Sequence, residues 1–557
     1  MKSQYLILIL VILVVILGIV FSCTVFAKLN HNKDSVVVTN ESSLLQKLSS
    51  RLLGNAAGGG LNTVFPTDER YLTLVRGFNA RWVGTASEVI VCSKVKEIAQ
   101  ALKRAILTNK RVTVGSGYHC YEDFTVGNSG ILIDLSTMMK LYRQKNGLIV
   151  MEPGCNNWTA QQKMFKEWNL SLPGGSCYSV CAGGHICGGG YGLLSRMHGL
   201  TVDWLHGVEI VTVDKNYKVK VVQVFEDSKK PEDRDLWWGN TGGGGGNFGV
   251  ITKYFFKSAP TPPSIVYLAT ITIDWRDSNN KIISYTDFSN LLAKYSLFWK
   301  NDQVNRKHLS MFALFKLRHI SSSNFAIIIQ ANHKSDIVDF INFVFPSTGQ
   351  IISVETCTTS DTLTSNAIQF NTNIASSITI SELPWLYTTM NLNGSGDSQR
   401  FKNKAANMRD VFPEKQIQTF YKWMTGVAMP NFNNKQALVQ IDSYGGVVND
   451  LKSTDRAVPF RDSFMKLQFQ TYWVCKENDE ENLSWIRGLY NELYGENGPY
   501  PDDVMQGAYV NYPDVDLKNW QYLYYGDNYK RLQSVKKTWD PNNFFNHKQS
   551  IELPINE

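Results

Sequence analysis

Five consecutive glycines, Gly242 to Gly246, constrain this chain more than any other feature. A run without side chains lets the backbone lie directly against a ligand or another chain segment, or else leaves a flexible surface loop. Gly244, Gly246 and Gly249 satisfy the GxGxxG spacing formally. A dinucleotide-binding turn, however, needs a strand before that motif and a helix after it. Here Val250 to Phe256 reads as a strand, so the Rossmann reading fails. No Gly-Lys-Ser/Thr follows, which excludes a P-loop. A second segment, Leu172 to Gly192, joins Pro173, many glycines and three cysteines, with no helical or strand period. It too must bring backbone close to something.

The surroundings of these segments read as a βα pattern. Strands are expected at Glu88–Cys92, Arg111–Val114, Ile131–Leu135, Leu148–Met151, Val208–Val213 and Val250–Phe256. Val95, Ile98, Ala99, Leu102, Ala105 and Ile106 share one helical face, and Thr159–Trp168 reads as a second helix. From about residue 264 longer alternating strands appear, Ile265–Ile273 and His308–Phe315, with helices near Tyr285–Trp299 and Ile337–Phe345. This texture predicts an α+β domain on an antiparallel sheet. A helix is also expected at Lys530–Lys537, stopped by Asp540-Pro541.

Tyr5 to Phe26 is almost continuously apolar behind a single cation, Lys2. It reads as a signal peptide with an exit at Val25-Phe26-Ala27, or as an uncleaved membrane anchor. Either places the rest of the chain in the secretory lumen or outside, where disulfides are allowed. Beyond Cys23, eight cysteines remain without a CxxC pair, so no zinc ribbon or thioredoxin-like motif is suggested. Five sequons, at Asn40, Asn157, Asn169, Asn393 and Asn482, permit glycosylation. The net charge of +7 is dispersed without a basic block, which argues against a nucleic-acid partner. The nine histidines lack HExxH spacing and no acidic calcium loop occurs, so no metal is expected.

Taken alone, His119 after Gly115-Ser116-Gly117 is an ordinary structural histidine, and Cys177 is half of a disulfide. Their frames say more. Gly115-Ser116-Gly117-Tyr118-His119, Cys177-Tyr178-Ser179-Val180-Cys181-Ala182-Gly183-Gly184-His185 and Gly188-Gly189-Gly190-Tyr191-Gly192 together resemble the FAD-binding domain of berberine-bridge-enzyme-like oxidases. Asp235-Leu236-Trp237-Trp238 with Gly242–Gly249 is similar to that family. So is the C-terminal Tyr509-Val510-Asn511-Tyr512-Pro513-Asp514, with Tyr524-Tyr525-Gly526-Asp527-Asn528 and Gln549-Ser550-Ile551. The likeness runs from about Phe78 to Ile551 and is thinnest in the middle. The Thr241–Val250 and Tyr509–Leu517 segments resemble aclacinomycin-oxidoreductase-like members.

The resemblance implies an α+β fold: a PCMH-type FAD-binding domain of two α+β subdomains plus a substrate domain. The expected division is 1–27 signal or anchor, 28–75 lead-in, 76–260 FAD domain, 261–500 substrate domain, and 501–557 a segment returning to the FAD domain. It implies FAD joined to His119 at the 8α-methyl and to Cys177 at the neighbouring ring carbon, the thiolate being the better nucleophile. It places Gly115, Ser116, Gly117, Tyr118, Val180, Gly183, Gly184, His185, Gly188, Gly190, Tyr191, Gly192, Gly246, Asn247, Gly249, Val250 and Asn511 against the cofactor. Tyr118 stands where the family usually has glycine and is expected to crowd the flavin edge. Tyr512 is the implied catalytic base. A phenol that titrates near pH 10 needs help to serve there, and the sequence names no helper. Tyr444 is similar to a second active-site tyrosine, or is a packed strand-end residue. Val180 sits where a small side chain leaves room for oxygen. The implied activity is oxidation of an alcohol on a sugar, glycoside or phenolic molecule, with oxygen reduced to hydrogen peroxide. The alternatives are oxidative ring closure on an alkaloid- or polyketide-like substrate, or a secreted flavin-binding protein with little turnover. A monomer is expected, with a membrane involved only through the anchor.

Overall fold

Alternation and burial resolve the chain into three sheets, as seen in a computed structural model that describes residues 60–127, 130–345, 353–356, 364–369, 374–392, 394 and 396–555. Apart from Gly60, all of these belong to one unit, Leu61–Glu557. The N-terminal apolar run, Cys23, Cys357 and the sequons Asn40 and Asn393 lie outside the described residues.

The first sheet has the order β1-β2-β4-β3, formed by β1 (Asn62–Val64), β2 (Glu88–Val91), β3 (Val112–Gly115) and β4 (Ile131–Asp134). β2, β4 and β3 run parallel, and β1 closes the edge antiparallel. The helix Val95–Leu107 lays Ile98, Ala101, Leu102 and Ala105 into the core. Glu97 caps its start by accepting from the Ser93 and Lys94 backbone amides at 2.7 and 3.2 Å. Part of the expected lead-in packs against the same strands in a second cluster, with Val89 and Leu132. Val64, Tyr71 and Val75 are buried, and the Tyr71 hydroxyl donates to the Ala86 carbonyl at 2.6 Å. Isolated apolar residues in a polar stretch gave no period from which to read this.

The second sheet is antiparallel, ordered β5-β6-β9-β7-β8. Its strands are β5 (Leu141–Arg143), β6 (Ile149–Met151), β7 (Leu205–Val213), β8 (Val219–Phe225) and β9 (Val250–Phe256). All nine residues of β7 are buried, as a central strand covered on both faces requires. β8 and the helix Pro231–Gly239 occupy the stretch between Val213 and Gly242, where no element was expected. Pro231 in the first turn, followed by Glu232 and Asp233, was a readable helix start.

The third sheet has nine antiparallel strands in the order β13-β14-β15-β10-β12-β11-β17-β18-β16. They are β10 (Ile265–Asp274), β11 (Phe312–Arg318), β12 (Asn324–Ala331), β13 (Ser353–Thr356), β14 (Thr364–Gln369), β15 (Ser377–Pro384), β16 (Arg400–Met408), β17 (Leu438–Ser443) and β18 (Met465–Trp473). β11 starts and ends later than expected. His308 lies before it, bonded through Nδ1 to Asp302 at 2.9 Å. The strand instead continues through the polar Lys316 and Arg318, because their face lines a cavity. Register sets Lys466, Asp442 and Leu314 in one row, Gln468, Gln440 and Lys316 in the next, and Gln470, Leu438 and Arg318 in the third. The alternate residues, such as Leu467, Phe469, Ile441 and Phe315, are buried in the main core.

The C-terminal segment docks back on the first two sheets. Phe545 is buried in the core of the first. Lys536 Nζ donates to the Asn247 carbonyl at 2.8 Å and pairs with Asp540 at 2.7 Å. Asn482 is buried in the helix Asp479–Tyr494, with its Oδ1 accepting from Asn434 at 2.6 Å, so in the folded chain it is no glycosylation site. No disulfide forms among the described cysteines.

Candidate active site

The two glycine-rich segments, the His119 loop, the third sheet and the C-terminal segment enclose one cavity of about 590 Å³. The five-glycine run is pinned, not loose. Gly242, Gly243 and Gly244 are buried. Asn247 Nδ2 donates to the Gly243 and Gly244 carbonyls at 2.9 and 3.2 Å, and Asn247 Oδ1 accepts from Ile551 N at 2.8 Å. The Tyr525 hydroxyl donates to Gly243 O at 3.0 Å. Gly244 through Ile251 then lines the cavity, with Gly244, Gly245, Gly246 and Gly249 presenting bare backbone.

His119 and Cys177 both line the cavity. The imidazole stacks on Phe78 at 4.2 Å between centroids, and its Nε2 bonds Ser179 Oγ at 2.9 Å. Burial holds the ring well below the usual range for histidine, at about 4, so it is neutral. A neutral ring whose Nε2 is engaged by Ser179 can offer Nδ1 as a nucleophile. Burial pushes the Cys177 thiol up, against the opposing pull of the Gly394 backbone and of Lys316.

Tyr118 has φ +57°, in the left-handed region where glycine is at ease and a side chain is strained. The ring folds back over Gly115, where an added Cβ would lie 2.5 Å from Tyr118 Cε1 and Cζ. Gly115 is therefore the space that lets a tyrosine occupy this turn. Gly188 plays a similar part for Asn511, whose amide fills the place of a Cβ there. Asn511 Nδ2 donates to the His185 carbonyl and to the Tyr509 hydroxyl, both at 2.9 Å. Gly190 N donates to that same hydroxyl at 3.1 Å. His185 Nε2 accepts from Gly175 N at 3.0 Å, tying the second glycine-rich segment to itself.

Tyr512 enters the cavity from the C-terminal segment, stacked on Tyr121 at 5.6 Å. Its hydroxyl is 2.8 Å from the Tyr191 hydroxyl, which donates to Asp442 Oδ2 at 2.9 Å. Gln440 Nε2 also donates to that oxygen, at 3.2 Å. Burial raises Tyr512 and Tyr191 well above the ordinary phenol range, so neither is a standing tyrosinate. Asp442 is pushed up to about 6 by burial, against the hydrogen bond from Tyr191 and the nearby Lys316 and Lys466. Lys466 is buried and drawn down to about 7. Its Nζ lies 3.7 Å from the Tyr509 ring centroid, 4.4 Å from Tyr191 and 4.6 Å from Tyr444. Tyr444 itself packs edge-on behind Tyr191 at 5.9 Å and does not line the cavity. Its hydroxyl is buried without a hydrogen-bond partner among the described residues.

One buried ionic knot fixes Tyr512. Lys402 on β16 bonds Glu122, three residues after His119, at 2.5 Å, and Asp514, two residues after Tyr512, at 2.6 Å. Lys404 bonds the other oxygen of Asp514 at 2.7 Å. The knot joins the His119 loop, the third sheet and the Tyr512 segment.

Residues 86–217 match the family described as FAD binding domain, and residues 508–552 match the family described as berberine and berberine like. The chain is 34% identical over 522 residues to hexose oxidase of Chondrus crispus, covering 87% of this chain and 93% of that one. It belongs to the berberine-bridge-enzyme-like family of FAD-linked oxidases. An aclacinomycin-N/aclacinomycin-A oxidase of Streptomyces galilaeus is 31% identical over 531 residues, covering 90% and 92% of the two chains. The crystal structure of a glycopeptide hexose oxidase complexed with teicoplanin superimposes with a TM-score of 0.78 at 32% identity, over 89% of this chain and 99% of that one.

For an FAD-linked oxidase the residues present fit the cofactor: a bare-backbone cradle, a neutral imidazole and a thiol share one cavity. Ser116, Gly117, Tyr118, Val180, Gly183, Gly184, His185, Tyr191, Gly192, Gly246, Asn247, Gly249, Val250, Asn511 and Tyr512 join His119 and Cys177 on its lining. Gly115, Gly188 and Gly190 stand behind it instead, making room for Tyr118, Asn511 and Thr201. Asp442, Lys316, Arg318 and the glutamines of β17 and β18 escaped the sequence reading. Their only signal was polar residues at every second position, which a solvent-facing strand shows equally.

Proposed function

We propose that this oxidase carries its FAD on two bonds, to His119 and Cys177, and oxidises an alcohol of a sugar or glycoside. The FAD supplies a hydride acceptor that oxygen then reoxidises, giving hydrogen peroxide. The single observation that carries the reading is the chain of hydroxyls from Tyr512 through Tyr191 to Asp442. Tyr512 takes the proton of the substrate hydroxyl as its own passes to Tyr191, and Tyr191 passes its proton to Asp442. The carboxylate is thus the final acceptor, and neither phenol has to exist as a free anion beforehand. Lys466 lies over the faces of Tyr191 and Tyr509, where a cation offsets charge moving along the chain. Val180 on the wall leaves room for oxygen. The amide-rich strand face favours a hydroxylated substrate over ring closure on a fused-ring one, and the names of two relatives agree with a sugar. The apolar N-terminus supports export from the cytosol.

Purified protein is expected to be yellow, and the colour to stay with the chain after acid precipitation. His119→Ala and Cys177→Ala together should release the flavin into the supernatant. Colour that leaves the wild-type chain on precipitation defeats the two-bond reading.

A further inference from the structure

The strand-built wall of the cavity carries charges that the proton relay does not use. Lys316 and Arg318 stand two residues apart on β11 and both line the cavity. Across the sheet Lys316 pairs with Gln440, which pairs with Gln468; Arg318 pairs with Leu438, which pairs with Gln470. Their partners are amides and a leucine, not carboxylates. Among the described residues neither cation has an ion pair or a side-chain hydrogen bond. The other charged residues on the wall are Asp442, already held by Tyr191 and Gln440, and Asp397, which is exposed.

Two like charges on a partly desolvated wall are costly unless an anion answers them. Burial and Arg318 together draw the Lys316 ammonium below its ordinary value against the attraction of Asp442 one row away, so Asp442 answers only part of that cost. Around the pair, hydrogen-bonding capacity is left over. Gln440 spends its Nε2 on Asp442 and keeps its carbonyl; Gln470 spends its carbonyl on Tyr472 and keeps its amide hydrogens. Lys316 lies one register row from Asp442, about 7 Å along the strands. That is the span of a single sugar residue.

We infer that the substrate is a saccharide bearing an anionic group, a carboxylate or a sulfate ester, held by Arg318 and Lys316 while the hydroxyl to be oxidised faces Tyr512. The inference rests on the alcohol-oxidase reading above. A planar guanidinium beside an ammonium suits a multi-oxygen anion. The neighbouring amides suit the hydroxyls of the sugar.

The test uses the flavin-loaded enzyme with glucose, glucuronic acid and glucose 6-sulfate, and with the three galactose counterparts. Binding is followed by perturbation of the flavin absorbance, and turnover by peroxide release. Charged sugars should bind more tightly than neutral ones, and added salt should weaken only the charged. Arg318→Gln and Lys316→Gln should each weaken charged sugars by about tenfold and neutral ones by less than about twofold. The uronate and sulfate arms identify which anion fits. Charged sugars that bind in this pattern without reducing the flavin leave the inference standing and remove the alcohol-oxidase reading. Neutral sugars bound as tightly as charged ones, or variants that weaken both alike, overturn the inference.

Discussion

Replacing Asp442 by Asn should make the protein more stable and almost inactive. The carboxyl is buried and pushed from 3.8 to about 6, so the folded state holds its proton more tightly than the unfolded state does. The sign follows directly. The contribution of Asp442 to stability is fully present below about pH 4 and is lost as pH rises through about 6. Two units correspond to about 3 kcal/mol of penalty carried by the wild type at neutral pH. Asn keeps an oxygen to accept from Tyr191 and carries no charge, so about 1–2 kcal/mol of that penalty should return as stability. Turnover should fall by about two to four orders of magnitude, because the relay loses its final proton acceptor. Thermal unfolding of both proteins at pH 4 and pH 7.5 should show a stabilised variant only at the higher pH. Wild-type turnover should decline as pH falls through about 6, and the residual activity of the variant should lose that limb. A variant that keeps wild-type turnover, or keeps the acidic limb, refutes the relay.

Three further outcomes follow from the same geometry. Tyr512→Phe should retain flavin while turnover drops about 10²- to 10⁴-fold, read by steady-state peroxide release. Lys402→Met removes the cation between two buried carboxylates, Glu122 and Asp514. It should cost about 3–5 kcal/mol in chemical unfolding, and Glu122→Gln in the same chain should recover part of that loss. Gly115→Ala drives a methyl into the Tyr118 ring and should cost about 1–3 kcal/mol, a cost that vanishes in a Tyr118→Gly background.

The halves of the molecule differ in how much the residues announce. In the FAD domain the strands are short apolar runs with punctuation between them, and β9 spans Val250–Phe256 as read from its apolar run. Local chemistry sets those elements. Helix Pro231–Gly239 was left unassigned although its start signals, Pro231 followed by Glu232 and Asp233, were present. In the third sheet, β11 runs three residues past its expected end, through the polar Lys316 and Arg318. Only the fold reveals that this polar face looks into a cavity.

The site divides along the same line. His119, Cys177 and Tyr512, which the fold brings to one cavity, stood out because glycine-rich frames and a tyrosine-rich segment are rare patterns, and rarity is what a single sequence can show. Asp442 was not legible, although it stands two residues from Tyr444, which was singled out instead. A strand sends neighbours of even spacing to one face, so spacing alone does not tell Asp442 from Tyr444. What separates them is the turn that follows: Gly445 and Gly446 both have positive φ. The chain leaves the sheet there, carrying Tyr444 behind Tyr191 while Asp442 remains in register with Lys466. The helper in the proposed relay therefore comes from strand pairing between residues far apart in the chain, and pairing of that kind has no local signature.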